Sequence, residues 1–209
     1  PLPASFPEPK HEKTSSRTST QPNCPSPPTP TLPRYRDNGV SAETEPGRLV
    51  AVTGATGFIG KHIVQALLSQ DHQVIAVSRD AQRAASLLPA GVKCISWEST
   101  ELRSGLAGSS AVINLAGEPI ASGRWTARKK VAIMNSRLNA AQRLFNALQG
   151  ANTPPDVFIQ ASAIGYYGDR ADDILTEQSN KGTGFLSDVC EAWEKSTFEA
   201  SAAGIRVTN

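Results

Sequence analysis

At 209 residues, 39% hydrophobic and 19% charged, the sequence can fold as one independent domain, and a formal charge of +2 is too near neutral for a nucleic-acid-binding chain. Cys24, Cys94 and Cys190 lie far apart, with no CxxC pair and no histidine at ligand spacing, which excludes a disulfide framework or zinc site and fits a reducing compartment such as the cytoplasm. No stretch reaches the roughly 18 uninterrupted apolar residues of a membrane span, so no membrane partner is expected.

Residues 1 to 46 hold eleven of the fifteen prolines, many Ser and Thr, and almost no apolar periodicity. Such a segment cannot bury enough surface to offset its chain entropy and is predicted to be a disordered tail. It lacks the apolar core of a secretory signal. Its Ser/Thr content would also suit a plastid or mitochondrial transit peptide, against which stand its sparse arginines and the acids Glu8 and Glu12. The start at Pro1 reads as a processed chain or a fragment. Deleting residues 1 to 46 should leave the thermal midpoint unchanged in a calorimetric scan, and a large drop would mean that the tail packs on the domain.

From residue 47 strand and helix signals alternate. "RLVAVTG" is a buried-strand run, "GKHIVQALLSQD" sets Ile63, Val64, Leu67 and Leu68 on one helical stripe, and "HQVIAVSRD" returns to strand, completing a βαβ unit. "AQRAASLLP" reads as a short helix, "VKCISWE" as a strand, "ELRSGLAGS" as a short helix or turn and "SAVINLAG" as a buried strand. Residues 126 to 149 form a long amphipathic helix carrying Val131, Ile133, Met134, Leu138, Leu144, Phe145 and Leu148. Arg124, Arg128, Lys129 and Lys130 read as its solvated face. "DVFIQASAIGYYG" follows as strand and loop, "GFLSDVCEAWEKSTFEASAAG" as one helix and "IRVTN" as a further strand. The alternation predicts an α/β fold, a doubly wound parallel sheet of Rossmann type in three αβα layers.

Between the first strand and helix stand Gly54, Gly57 and Gly60. Gly54 permits the tight turn, Gly57 leaves room for a diphosphate to approach the backbone, and Gly60 lets the helix pack closely on the sheet. The helix amino terminus then turns free N–H groups and a positive dipole end toward the phosphates. Thr56, Phe58 and Ile59 complete this turn and are grouped with the cofactor-binding residues.

The spacing is GxxGxxG, and "VTGATGFIG" resembles the extended or atypical branch of the short-chain dehydrogenase/reductase superfamily. With "AVINLAGEPIASGRWT", "ASAIGYYGD" and "FLSDVCEAWE", residues 48 to 209 resemble the SDR39U1-type epimerase family, described as NAD(P)-dependent nucleotide-sugar epimerases. The resemblance implies a small-molecule substrate, with a nucleotide sugar as the class to test first. It implies that Leu115, Ala116 and Gly117 line the cofactor floor, with Asn114 bracing the backbone beside them. Glu118, Arg124 and Trp125 lie over the crevice, where Trp125 either touches substrate or anchors its own loop.

The second strand ends at Ser78-Arg79, beside the adenine ribose in this fold. Arg79 is placed to pair with a 2′-phosphate and Ser78 to hydrogen-bond it, which favours NADP and leaves NAD as the alternative. Arg79 also reads as an exposed residue opening the next loop, with Asp80 able to swing to a ribose hydroxyl.

Members of the superfamily use a Tyr and a Lys four residues apart on a helix, with a Ser on the preceding strand, so that a phenolate exchanges a proton while hydride moves to or from nicotinamide. Ser162 ends "FIQAS", but with Glu194 as the helix glutamate, Leu186 and Cys190 occupy the Tyr and Lys positions. The nearby phenols are Tyr166 and Tyr167, either proton donors in a rearranged site or loop packing. Extended members also place much of the substrate pocket beyond the strand begun by "IRVTN", so the substrate-binding region of residues 47 to 209 is expected to be incomplete. Two functions follow: an NADP-dependent oxidoreductase or epimerase centred on Ser162 and a loop tyrosine, or a non-catalytic dinucleotide-binding module acting through a protein partner.

Overall fold

Six strands, β1 (Leu49–Thr53), β2 (Gln73–Ser78), β3 (Lys93–Ser96), β4 (Ala111–Asn114), β5 (Val157–Gln160) and β6 (Arg206–Thr208), form one parallel sheet in the order β3-β2-β1-β4-β5-β6. The computed structural model describes residues 47–209, and the predicted tail lies outside the described residues. The central strands are apolar on both faces because helices cover both, as in the fully buried run Val74 to Val77.

Helices α1 (Phe58–Ser69) and α2 (Ala81–Leu87) connect β1 to β2 to β3 and cover one face, where Val50, Val52, Val74, Ala76 and Ile113 pack with Val64, Ala84 and Leu88. After β3 the chain crosses to the far side of β1. Helices α3 (Leu102–Leu106), α4 (Ala127–Leu148), α5 (Phe185–Lys195) and α6 (Phe198–Ala202) follow, and on this second face Ala51, Val77, Val112 and Phe158 pack with Leu106, Leu144, Phe145 and Leu148. Right-handed crossovers require this change of face when the strand order reverses. The reversal leaves a crevice between β1 and β4 at the carboxyl ends of the strands.

Two sequence expectations change. The predicted helix after Gly184 breaks after Lys195, because the Ser196 hydroxyl donates to the Trp193 carbonyl (2.6 Å) and the Thr197 hydroxyl to that of Glu194 (2.7 Å), competing with the helical ladder. On α4 one predicted stripe residue turns outward: Val131 is 57% exposed, whereas Ile133, Leu144, Phe145 and Leu148 are buried.

Candidate functional site

The glycine turn answers to three different constraints. Gly54 has φ +65°, and an added Cβ would stand 2.8 Å from the Leu115 carbonyl oxygen, so both the turn and the approach of β4 require glycine there. At Gly60 a Cβ would fall 2.3 Å from the Gly54 carbonyl oxygen and 2.7 Å from the Ala55 Cα. The close packing that it permits is therefore of helix on turn backbone. A Cβ at Gly57 meets only the Gly54 carbonyl, at 3.2 Å, and the residue otherwise borders open space on the wall of a cavity of about 490 Å³. Gly57 caps α1 in extended conformation and brings no side-chain hydrogen bond to the helix end. The first-turn N–H groups of a helix have no intrahelical acceptor. Phe58 and Ile59 have side chains 84% and 61% exposed and do not line the cavity; what they offer an anion is backbone N–H.

The same cavity is walled by Thr56, by Ser78 and Arg79 at the end of β2, and by Leu115, Ala116 and Gly117 at the end of β4. Asp80 takes another role: its carboxylate caps α2 by accepting the Arg83 N–H (2.9 Å), and it does not line the cavity. The β4 wall rests on a buried network across three strands at one register level, Thr53 beside Asn114 beside Gln160. The Thr53 hydroxyl donates to Asn114 Oδ1 (2.6 Å), and Asn114 Nδ2 donates to Gln160 Oε1 (3.0 Å). The backbone N–H groups of Leu115 and Ala116 both donate to Thr53 Oγ1 (3.1 Å), which fixes the floor from below.

Sequence reasoning missed the α4 wall. Ser136, Asn139, Ala140 and Arg143 line the cavity at the three-to-four-residue spacing of one helix face, a polar stripe visible beside the apolar one. Arg143 pairs with Glu98 (2.8 Å) and brings a second cation to the cavity that holds Arg79. Lys129 departs from its expected solvated face: with 16% of its side chain exposed, its ammonium donates to Glu118 Oε1 (2.7 Å) and Ser122 Oγ (2.8 Å). That bond, with the charges of Lys129, Arg79 and Arg137, holds the Glu118 carboxyl below its ordinary pKa. Arg124 lines neither cavity, and Trp125 bonds the carbonyl of its own loop at Ile120 (2.8 Å) while lining a second cavity.

Ser162, Tyr166 and Tyr167 line neither of the two cavities. The Ser162 hydroxyl donates to the Glu194 carboxylate, tying the end of β5 to α5, and its neighbour Ala163 lines the second cavity instead. The two tyrosines occupy a 3₁₀ turn, Ile164–Tyr167, and pack edge to face on each other at 5.3 Å. That turn is pinned by the Gly182 N–H, which donates to the Tyr166 carbonyl (3.0 Å). Cys190 lies on α5, where its thiol donates to the Ala163 carbonyl (3.7 Å). Burial, with the nearby Glu194 charge, pushes that thiol above its ordinary pKa, so it stays neutral.

The strand order, the crossovers and the glycine turn at the switch point define a Rossmann-type α/β protein. Residues 50–186 match the model of the NAD dependent epimerase/dehydratase family, and the chain belongs to that family. It is 34% identical over 167 residues to the chloroplastic epimerase family protein SDR39U1 homolog of Arabidopsis thaliana, an alignment covering 77% of this chain and 47% of the relative. The crystal structure of human SDR39U1 (isoform 2) with NADPH superposes with a TM-score of 0.61 and 31% identity, over 71% of this chain and 48% of that one. A nucleoside-diphosphate sugar epimerase from Corynebacterium glutamicum does so at 0.62 and 32%, over 78% and 33%. The chain thus spans about half the length of the curated relatives that it matches. Among the described residues no helix is long and apolar enough to cross a membrane.

Proposed function

We propose that this chain binds NADP(H) along the cavity between the glycine turn and β4, as part of an atypical short-chain dehydrogenase/reductase protein. The observation that carries the reading is the shape and chemistry of one cavity. Gly57 and the α1 amino terminus suit a diphosphate, Ser78 and Arg79 a 2′-phosphate, and Leu115 to Gly117 the nicotinamide ribose. Asp80, the acid after the β2 end, is turned to cap α2 and does not line the cavity, so its carboxylate is not placed to take the ribose hydroxyl there. The relative solved with NADPH supports the same choice.

Isothermal titration of wild type and Arg79→Ala against NADPH and NADH tests it. A lost charge-assisted hydrogen bond should weaken NADPH about tenfold or more and leave NADH unchanged. Unchanged NADPH affinity in Arg79→Ala would remove Arg79 as the phosphate ligand.

The chemistry proposed with this binding is hydride exchange with a carbonyl carbon of a small molecule, a nucleotide sugar being the first class to assay. When bound, the nicotinamide supplies or accepts the hydride; the chain must hold the carbonyl and move a proton, for which Ser162 and either Tyr166 or Tyr167 are the candidates. A second reading, a dinucleotide-binding module acting through a protein partner, is favoured by one specific observation: Leu186 and a neutral Cys190 stand where the proton-relay pair is expected. Assaying NADP+ reduction and epimer formation with UDP-sugars, in wild type and in Tyr166→Phe and Tyr167→Phe, separates the two, since turnover lost with one phenol supports catalysis and none in wild type supports the module. The chloroplastic relative makes an organelle a reasonable place to look for the protein.

A further inference from the structure

A second cavity, of about 570 Å³, lies between the loop after β4, the 3₁₀ turn and α5, and shares no lining residue with the first. Ile120, Trp125, Phe185, Leu186, Val189 and Trp193 make its walls largely apolar. Its few polar side chains are mostly engaged: the Ser187 hydroxyl with the Gly165 and Thr183 carbonyls (3.0 and 3.2 Å), the Cys190 thiol with Ala163, and Asp169 Oδ1 with the Ala171 N–H (3.1 Å).

Two polar groups of the lining are not fully engaged: the buried Trp193 Nε1–H, which has no hydrogen-bond partner among the described residues, and Arg137 of α4, the only cationic side chain in the lining. Its guanidinium packs over the Trp193 ring (4.8 Å to the centroid), and a side chain at Gly117 would stand 2.8 Å from its Cζ, so that glycine makes room for it. Nη1 donates to the carbonyls of Ile133 (3.0 Å) and Glu118 (3.2 Å). Among the described residues, the Nε and Nη2 edge of the fork carries no hydrogen bond, and no carboxylate pairs with it, because Glu118 is bound by Lys129. Partial burial pushes the Arg137 pKa down, against the opposing pull of the Cys190 and Glu118 charges. A half-buried guanidinium with an unpaired edge beside apolar walls suits a planar anion.

We propose that this cavity binds a small carboxylic acid with an apolar aryl or alkyl body, its carboxylate on the Nε/Nη2 edge of Arg137 and its body against Trp125, Phe185 and Leu186. A sugar fits the walls poorly, since each hydroxyl would need a partner and the polar groups are mostly engaged. The site does not rest on the cofactor reading, although the contact of Arg137 with Gly117 sets its anion against the end of the cavity proposed for nicotinamide.

The test is isothermal titration of the 209-residue chain with 4-phenylbutyrate, its neutral amide 4-phenylbutyramide, and UDP-glucose. Wild type should bind the acid in preference to the amide. Arg137→Gln should weaken the acid about tenfold or more and leave the amide unchanged. Leu186→Glu, which adds a charge like the ligand's to the wall without altering Arg137, should weaken the acid more than the amide, since both lose the Leu186 contact and only the acid is repelled, and covers the case in which Arg137→Gln fails to fold. NADPH titration of the same proteins keeps the two readings apart: if NADPH fails to bind wild type while the acid discrimination holds, only the cofactor reading falls. Equal affinity for acid and amide, no acid binding up to millimolar concentration, or UDP-glucose binding that the two substitutions weaken would each overturn the proposal.

Discussion

Replacing Gly57 with valine is expected to abolish dinucleotide binding while leaving the domain folded. The three glycines of the turn differ in what a side chain would meet, and that difference makes the experiment decisive. At Gly60 an added Cβ would collide with turn backbone at 2.3 Å, so substitution there lowers stability and binding together. At Gly57 the one close atom is the Gly54 carbonyl oxygen, at 3.2 Å, and the backbone is extended with φ −73°, which any residue adopts. A valine would instead fill the place where a diphosphate must approach the α1 N–H groups. NADPH affinity should fall at least about a hundredfold, the scale of losing two or more charge-assisted hydrogen bonds. The circular dichroism melt without cofactor should move little. Retained NADPH affinity in a folded Gly57→Val protein would show that the turn does not cradle a diphosphate.

Asn114→Leu is expected to destabilise the domain strongly, well beyond the effect of Gly57→Val. Asn114 is fully buried and links Thr53 on β1 to Gln160 on β5. Leucine would remove both partners at once, leaving the Thr53 hydroxyl without its acceptor and Gln160 Oε1 without its donor. Orphaned buried groups cost about 1–3 kcal/mol each, so the combined loss should be about 3 kcal/mol or more. For a domain of this size that lowers the thermal midpoint by roughly 6–12 °C. The double variant Asn114→Leu/Gln160→Leu should recover part of the loss, because it removes one of the orphans. A midpoint unchanged in the single variant would mean that the network adds nothing to stability. NADPH affinity should also decline, since Thr53 holds the Leu115 and Ala116 N–H groups that set the cavity floor.

The hydrophobic run of β1, the glycine spacing and the apolar stripe of α1 were legible in the sequence because each depends on residues within a few positions of one another. So were the order of elements and, through the handedness of crossovers, the layers they form. Asn114 was legible as a brace because a buried amide must find partners, although not which partners. The polar stripe of α4 was present in the sequence and simply outweighed by the apolar one.

Other features were decided only by the tertiary structure. Which of Ser162 and Ala163 faces a cavity depends on how α5 packs against the loop after β5, where the Ser162 hydroxyl is turned to Glu194. Asp80 could have reached a ribose or a helix end, and the start of α2 settled it as a cap. Arg137 and Cys190 are distant in sequence, yet the packing of α4 against α5 sets a guanidinium beside the position where a lysine was expected. Local sequence thus determined the fold and the glycine turn, whose constraints are short-range backbone geometry. The facing of charged and hydroxyl side chains was left to helix-on-helix and helix-on-strand packing, because burial and hydrogen-bond partners come from elements far apart in the chain.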